Sequence, residues 1–296
     1  MNFLNIQRLR YYSLLLTVGI SVFSFHLFSQ DEFIDDSKSS YQKVKKSKRF
    51  FEVYQKIQLR KGKLFNRFEL ANKIRQQLKP LDILVQKAPF KLTDKLIPGH
   101  FGHVALWAGN KQDLIGKGIW GNDIVKKYQD NLETDSSINS RNLIEAVPEG
   151  VQLNSLEYFM NADDLAIIRP NFLNPSEEKD ALLFAFSQLG KEYDFGFDLE
   201  TKDKIVCSEL IYMTFPMIQW ETKYLFGRNT ISPDNVVKTC LNSKKFDLIS
   251  FYHKGHEVVE SEKIEKLKKI TKVNRFRKRK NKVLILNEDY LSILIK

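Results

Sequence analysis

The most informative segment of the chain reads Ile205-Val206-Cys207-Ser208-Glu209-Leu210-Ile211-Tyr212. A short apolar approach leads into sequence that is compatible with a helix and that stops before Pro216, so Cys207 is predicted to lie at a helix N-terminus. The free backbone N–H groups and the helix dipole at such a position lower the pKa of a thiol. Cys207 is therefore a candidate nucleophile. A buried, unreactive side chain is the alternative that this segment alone leaves open.

A nucleophilic thiol needs a base within hydrogen-bonding distance. The chain offers five histidines: His26, His100, His103, His253 and His256. His103 is preferred because it follows a turn with two glycines, Gly99 and Gly102, and opens a predicted strand. The alternation of that strand places His103 on one face with Ala105 and Trp107. A structural imidazole with satisfied hydrogen bonds is the alternative for His103.

A third polar group should orient the imidazole, and Glu145 is the best candidate. Glu145 is a single charge within the apolar run Leu143-Ile144-Glu145-Ala146-Val147. Burying a carboxylate in a strand is costly unless it is paired, so a neighbouring strand that carries His103 would account for it. The alternative is that Glu145 lies on an exposed face of the sheet.

The pattern of segments favours an α+β fold with a mostly antiparallel sheet. Short apolar runs rich in β-branched and aromatic residues predict strands at residues 82–87, 103–108, 143–147, 165–169 and 246–251, with a short addition at 151–153. Helices are predicted at residues 155–160, 176–189 and 232–239, with Ser176 as the N-cap of the second. Residues 50–78 predict one or two amphipathic helices that are broken near Gly62.

Five separated segments carry a resemblance to a known family. In chain order they are Gly102-His103-Val104-Ala105-Leu106-Trp107, Glu145-Ala146-Val147-Pro148-Glu149-Gly150-Val151, Lys191-Glu192-Tyr193-Asp194-Phe195-Gly196-Phe197, Cys207-Ser208-Glu209-Leu210-Ile211-Tyr212 and Ile231-Ser232-Pro233-Asp234. Together they resemble the YiiX/YebB-like group of the NlpC-type papain-like superfamily, over residues 81–256. The resemblance implies a circularly permuted papain-like domain, in which the histidine strand precedes the cysteine helix.

The resemblance also implies a role for each site residue. Cys207 is expected to be the nucleophile, His103 the general base and acid, and Glu145 the residue that orients His103. Tyr193 and Asp194 match part of the substrate-side wall. Tyr193 either donates a hydrogen bond to the oxyanion or is a buried tyrosine with a satisfied hydroxyl. One departure concerns the entry to the first strand, where the family usually has Gly-Asp and this chain has Leu81-Asp82.

These roles predict a cysteine-dependent hydrolase, an amidase, peptidase or acyl esterase that works through a thioester and needs no cofactor or metal. The family resemblance suggests cell-wall peptides or lipid-derived acyl groups as substrates. Three alternatives stay open: an acyltransferase of the same fold, an inactive membrane- or wall-associated binding protein, and a metal-binding domain that uses His100-x-x-His103 with Glu145 or Cys207.

The cysteine count and the net charge exclude some types of stabilising site and restrict the partners that the protein could bind. Two cysteines, Cys207 and Cys240, exclude a disulfide framework or a four-cysteine zinc site, and both are expected to be free thiols. The net charge of +11 is concentrated near residues 43–49 and 263–282. Such basic ends suit an anionic membrane or cell-wall surface. No motif for specific nucleic-acid binding accompanies them.

The domain organisation is predicted from composition. Residues 1–30 combine two arginines with an apolar stretch, which predicts a signal peptide or membrane anchor and a protein that is exported or anchored, facing the periplasm or exterior. Residues 31–80 are predicted to form a basic polar linker and an amphipathic helix, residues 81–256 the papain-like domain, and residues 257–296 a basic tail. The insert at residues 111–140 is interpreted as a lid or specificity loop.

Overall fold

The structure is a computed structural model that describes residues 60–89, 99–132, 140–194, 203–225 and 228–280. The predicted leader at residues 1–30 and most of the predicted linker lie outside these ranges, so their interpretation stays a prediction. Among the helices in the described ranges, none combines the length and hydrophobicity that a bilayer-spanning segment needs.

The described residues form eleven strands. In chain order they are β1 (Ile83–Lys87), β2 (His103–Trp107), β3 (Leu143–Val147), β4 (Gly150–Asn154), β5 (Asp164–Pro170), β6 (Glu192–Tyr193), β7 (Lys204–Ile205), β8 (Lys223–Leu225), β9 (Arg228–Thr230), β10 (Phe246–His253) and β11 (His256–Glu257). Seven of them make one antiparallel sheet with the order β11-β10-β5-β1-β2-β3-β4. Strands β6 and β7 form a separate parallel pair, and β8 and β9 an antiparallel pair.

The same ranges contain nine helices, of which the three in the insert at residues 111–140 are not among the predicted ones. In chain order they are α1 (Phe68–Gln77), α2 (Lys111–Gly116), α3 (Asp123–Lys126), α4 (Gln129–Leu132), α5 (Leu156–Phe159), α6 (Pro175–Ser187), α7 (Cys207–Thr214), α8 (Pro233–Asn242) and α9 (Lys263–Lys280). The predicted α+β class with a mostly antiparallel sheet is confirmed. The predicted N-cap of α6 is wrong: Asn174 caps this helix, because its side chain accepts hydrogen bonds from the N–H groups of Ser176 and Glu177.

Helices cover both faces of the large sheet. Val104 and Leu106 of β2 point into the main core, which also contains Leu210 of α7 and Val237 of α8. The intervening Ala105 points to the opposite face, into a smaller core that includes residues of α1 and α5. The alternation predicted for β2 is thus present, and it places the first residue of the strand, His103, at the rim of the second layer.

The insert between β2 and β3 is folded rather than a bare loop. Its helices α2, α3 and α4 are anchored in the main core by Leu114, Ile119, Val125 and Leu132, all of which are fully buried. Residues 133–139 of the insert lie outside the described residues. The interpretation of this insert as a lid or specificity loop stays a prediction.

The entry to β1 explains the departure from the family pattern. Leu81 has a φ of 72°, in the left-handed region that glycine adopts without a steric penalty. Its side chain is nevertheless 1% exposed and packs in the main core. Asp82 is held next to it by Arg169, whose Nε donates to Oδ1 at 2.7 Å. At this position the cost of the left-handed backbone conformation is thus offset by burial of the leucine side chain.

Candidate active site

Cys207 is the first residue of α7, as the sequence predicts. Val206 precedes it in an extended conformation, and the Val206 N–H donates to the Glu209 carboxylate at 2.9 Å. Ser208 donates its hydroxyl proton to the carbonyl of Ile231 at 2.7 Å, and Leu210 is buried in the main core. These contacts fix the first turn of the helix. Since the first N–H groups of a helix have no partner within it, the Cys207 amide is available to an acyl oxygen.

His103 begins β2 and lies between a thiol and a carboxylate. Its imidazole hydrogen-bonds with the Cys207 side chain. Its Nε2 hydrogen-bonds with Oε2 of Glu145, which leaves Nδ1 for the thiol. The chain segments that carry these groups come together because β2 pairs with β3, with Leu106 opposite Ile144, while α7 packs across β2. The three residues predicted from sequence are therefore neighbours in space.

Glu145 is held in place by a residue that sequence reasoning missed. Asn154 Nδ2 donates to Oε1 of Glu145 at 2.5 Å, so each carboxylate oxygen has a partner. Asn154 lies two residues along β4 from Gln152, the cross-strand partner of Glu145, and therefore on the same face. Glu145 is 1% exposed and is not on an open face of the sheet. The sequence feature that could identify Asn154 is its spacing from Glu145. The two residues are nine positions apart, and a tight β3–β4 hairpin would place both side chains on one face.

The electrostatic balance at His103 favours the imidazolium. Burial of the ring opposes the charged form, but the negative charges of Cys207 and Glu145 and the hydrogen bonds to both outweigh that penalty and raise the pKa of His103 from 6.5 to about 9. The ring also packs on Phe159, with 5.6 Å between centroids. The site thus supports a protonated His103 beside the Cys207 side chain at neutral pH.

Tyr193 and Asp194 lie beside the cysteine. Tyr193 in β6 pairs with Ile205 in β7, two residues before Cys207, and the Asp194 N–H donates to the Ile205 carbonyl at 3.3 Å. Both side chains are buried. Burial and then the nearby charges of Cys207, Glu209 and Asp194 raise the pKa of Tyr193 well above 10. Tyr193 accordingly keeps its proton at neutral pH.

Two further motifs now have physical roles. The Asp234 carboxylate, at the start of α8, accepts hydrogen bonds from the N–H groups of His100 and Phe101 at 2.9–3.0 Å and so fixes the turn before His103. A Cβ on Gly99 would lie 2.6 Å from Asp234 Cγ. Gly150 (φ 115°) lets the β3–β4 hairpin approach the segment before Tyr193, because a Cβ there would lie 2.7 Å from the Lys191 carbonyl oxygen.

The alternative in which His100 and His103 share a metal ion is not supported by the structure. His100 Nε2 contacts Asp164 at 2.5 Å, whereas His103 Nε2 contacts Glu145. The two imidazoles serve different clusters. Cys207 and Cys240 are both free thiols, as predicted, and burial raises the pKa of Cys240.

An antiparallel sheet crossed by a helix that begins with cysteine, with a histidine strand and a buried acid beside it, defines the papain-like class of cysteine hydrolases. The histidine strand comes first in this chain, which is the permuted order. The family of permuted papain-like amidases known as YaeF/YiiX, peptidase family C92, matches residues 77–285, and the chain belongs to this family. The predicted family and permuted fold are confirmed.

A solved structure described as the metalloprotein yiiX from Escherichia coli O157:H7 is also similar to this chain. The sequence identity is 16% and the TM-score is 0.40, and the alignment covers 58% of this chain and 97% of that chain. No curated protein shows a significant match to this chain.

Proposed function

We propose that this protein is a cysteine amidase in which Cys207 is the nucleophile, His103 the general base and acid, and Glu145 the residue that orients the imidazole. The observation that supports this assignment most is the position of His103, which interacts with the Cys207 side chain and, through Nε2, with the Glu145 carboxylate. Membership of an amidase family supports a reaction at an acyl carbon.

The proposed reaction has two halves. The Cys207 thiolate attacks the carbonyl carbon of an amide, and the His103 imidazolium gives its proton to the leaving nitrogen as the C–N bond breaks. An acyl thioester and a free amine result. His103, now neutral, takes a proton from water as the water oxygen attacks the thioester, and the carboxylic acid leaves as the Cys207 thiolate re-forms.

Two donors are proposed to stabilise the oxyanion that precedes each bond cleavage. One is the backbone N–H of Cys207 at the start of α7, which the helix itself does not use. The other is the hydroxyl of Tyr193, which stays protonated beside Cys207 because its pKa is raised. Removal of a single donor of this kind typically costs about 10²–10³ in kcat.

The substrate class proposed is a peptide amide or a lipid-derived acyl group, with cell-wall peptides as the first to test. An exported or membrane-anchored enzyme that faces the periplasm or exterior would meet such substrates, and the apolar leader sequence supports that location. The basic C-terminal sequence supports a contact with an anionic membrane or wall surface. Cell fractionation with antibody detection tests the location separately from the activity.

The test of the activity is the acyl-enzyme itself. Full-length protein is mixed with a panel of fluorogenic peptide amides and acyl esters, quenched in acid and examined by intact-mass and peptide mass spectrometry. We expect an acyl adduct on Cys207 and turnover of at least one substrate. Turnover should be lost in Cys207→Ala and reduced about 10²-fold or more in His103→Ala.

Cys240→Ser is the matched control, because it removes the other thiol of the chain, which is buried in the main core and raised in pKa by that burial. This variant should retain turnover and the adduct. Full turnover by Cys207→Ala, or an adduct that forms on Cys240 instead, would contradict the proposed function.

A further inference from the structure

A second group of titratable side chains lies apart from Cys207. His100 Nε2, His253 Nδ1 and a carboxylate oxygen of Asp164 all lie within 4.8 Å of one another. Asp164 Oδ2 is 2.5 Å from His100 Nε2 and 3.0 Å from His253 Nδ1. The proposed reaction uses none of these three side chains.

The group is separated from the active site by the sheet itself. Asp164 opens β5 opposite Lys87, while His103 in β2 lies opposite Gln86, so β1 runs between them. Two strand spacings of about 4.8 Å put Asp164 about 10 Å from His103. A ligand bound at Asp164 would therefore not compete with Cys207 for the imidazole of His103.

Three different segments hold the ligand atoms in place. His100 lies in the turn whose amides are bound by Asp234, and its ring packs edge-on against Phe101 with 4.9 Å between centroids. Asp164 Oδ1 accepts the N–H of Lys254 at 2.7 Å, which turns Oδ2 towards the histidines. The β10–β11 hairpin positions His253, and its turn is tied down by the Gly255 N–H, which donates to the Asp163 carbonyl at 2.8 Å.

Burial makes this arrangement more than a surface cluster. The exposed fractions of the side chains are 2% for Asp164, 8% for His100 and 17% for His253. The adjacent carboxylate of Asp163 is directed elsewhere and pairs with Arg60. One buried carboxylate thus faces two imidazoles, with a small opening to solvent on the His253 side.

From this geometry we propose that His100, Asp164 and His253 form a binding site for a divalent transition-metal ion, with Zn²⁺ as the expected ion. Two imidazole nitrogens and one carboxylate oxygen are a donor set that zinc uses, with water in the fourth position. At zinc–ligand distances of 2.0–2.2 Å, ligand atoms are about 3.3 Å apart, so each has to move by about 1 Å or less from its present position. The ion would join the turn before His103 to β5 and to the β10–β11 hairpin.

The experiment uses full-length protein without a polyhistidine tag, stripped with EDTA and dialysed against ZnCl₂. We expect one zinc per chain by elemental analysis and a higher midpoint of thermal unfolding with zinc than with EDTA. Asp164→Asn and His253→Ala should each weaken zinc binding about tenfold or more by isothermal titration calorimetry. Cobalt(II) added to the wild type should give the visible d–d bands of a low-coordinate nitrogen and oxygen site, a readout that needs no variant.

Two matched controls separate this site from others. Cys207→Ser should keep wild-type zinc affinity, because the catalytic cysteine is not a ligand. His256→Ala should also keep it, since His256 is an exposed imidazole on the same hairpin. Zinc lost in Cys207→Ser but retained in His253→Ala would place the ion at the catalytic residues and overturn the proposal. The absence of stoichiometric zinc and of cobalt bands in the wild type would overturn it as well.

Discussion

At the scale of single residues, the site is organised around the charge of His103. Because the pKa of its imidazole is raised to about 9, His103 holds its proton at neutral pH and loses it as the pH rises through about 9. The proposed acylation step needs that proton for the leaving nitrogen. We therefore expect kcat/KM to fall as the pH rises through about 9, which a pH profile with any accepted amide substrate measures.

Glu145→Gln tests one of the two groups that raise the pKa of His103, the other being Cys207. The glutamine keeps a hydrogen-bond acceptor for His103 but removes a negative charge that favours the imidazolium, so the pKa of His103 should fall and the alkaline limb should move to lower pH. NMR titration of the His103 ring, assigned by its loss in His103→Ala, measures the same pKa directly. If the pKa of the alkaline limb of the pH profile and the pKa of the His103 ring are both unchanged in Glu145→Gln, Glu145 is not the acid that orients His103.

The two thiols should differ in reactivity. Cys207 hydrogen-bonds with an imidazole that carries a proton, whereas burial in α8 raises the pKa of Cys240 and keeps it as an unreactive thiol. At neutral pH we expect iodoacetamide to modify Cys207 well before Cys240 in the folded protein, with His103→Ala slowing the modification of Cys207. Peptide mapping by mass spectrometry measures both rates, and equal rates at the two thiols would argue against an activated Cys207.

The residues that could be predicted from sequence are polar or reactive side chains that interrupt an apolar segment or lie at the start of a helix or strand. A thiol at a helix start, a histidine that opens a strand and an acid within an apolar run are visible one segment at a time. Asn154 and Asp234 are not, because their function depends on which distant group they meet: Asn154 binds Glu145 through the hairpin register, and Asp234 binds amides more than a hundred residues earlier. The cluster of His100 with Asp164 and His253 is hidden in the sequence for the same reason.

At the scale of elements, the entry to β1 offers a test of backbone strain against side-chain burial. Leu81→Ala loses a buried side chain and keeps the left-handed conformation, so we expect it to destabilise the protein by about 2–4 kcal/mol. Leu81→Gly loses the same side chain but relieves the conformational strain, which is about 1 kcal/mol or more. Glycine should therefore be the more stable of the two variants in urea unfolding, and the reverse order would show that Leu81 is unstrained.

The contact between the β3–β4 hairpin and the Tyr193 segment should be equally sensitive. A methyl group at Gly150 would meet the Lys191 carbonyl oxygen at 2.7 Å in a backbone conformation with φ 115°. Gly150→Ala should cost about 1–3 kcal/mol of stability and displace Tyr193 from Cys207. We expect kcat to fall while the NMR titration of His103 is unchanged, because the β2–β3 pairing does not involve this contact.

Gly190→Ala is the control for this element. Gly190 also has a positive φ, of 89°, but nothing lies within 4 Å of where its Cβ would stand. It should show a loss of stability from strain alone and keep kcat close to that of the wild type. A loss of kcat in Gly190→Ala as large as in Gly150→Ala would mean that the steric contact with Lys191 is not what positions Tyr193.

At the scale of the whole molecule, the fold class could be predicted because the long strands β1, β2, β3, β5 and β10 are apolar runs and helices α6 and α8 begin with capping sequences. The order of strands in the sheet could not be predicted from these segments alone. It places β1 between β5 and β2 and brings β10, from the end of the chain, next to β5. Such pairings depend on contacts between segments that are far apart in sequence. The strand propensity of each segment does not determine which other strand it pairs with.

The C-terminal sequence shows how far the folded unit extends. Its composition predicts a basic tail from residue 257, yet Leu267 of α9 is fully buried in the main core, and Lys263 donates to the Ile249 carbonyl at 2.9 Å. The first turns of α9 therefore pack on the domain. Among the described side chains of this helix, Leu267 and the partly buried Ile270 supply its apolar contacts with the main core.

Leu267→Ala tests whether α9 belongs to the cooperative unit. Removing this buried side chain should lower the free energy of unfolding by about 2–5 kcal/mol, since the cavity would open in the main core. Ile264→Ala is the matched control, because Ile264 lies one turn earlier on the same helix and is 47% exposed, so it should cost less than about 1 kcal/mol. Urea unfolding followed by circular dichroism measures both. Equal, small effects would mean that α9 is an appendage whose loss the domain tolerates, whereas a large and selective effect of Leu267→Ala makes the helix part of the structure that supports the site.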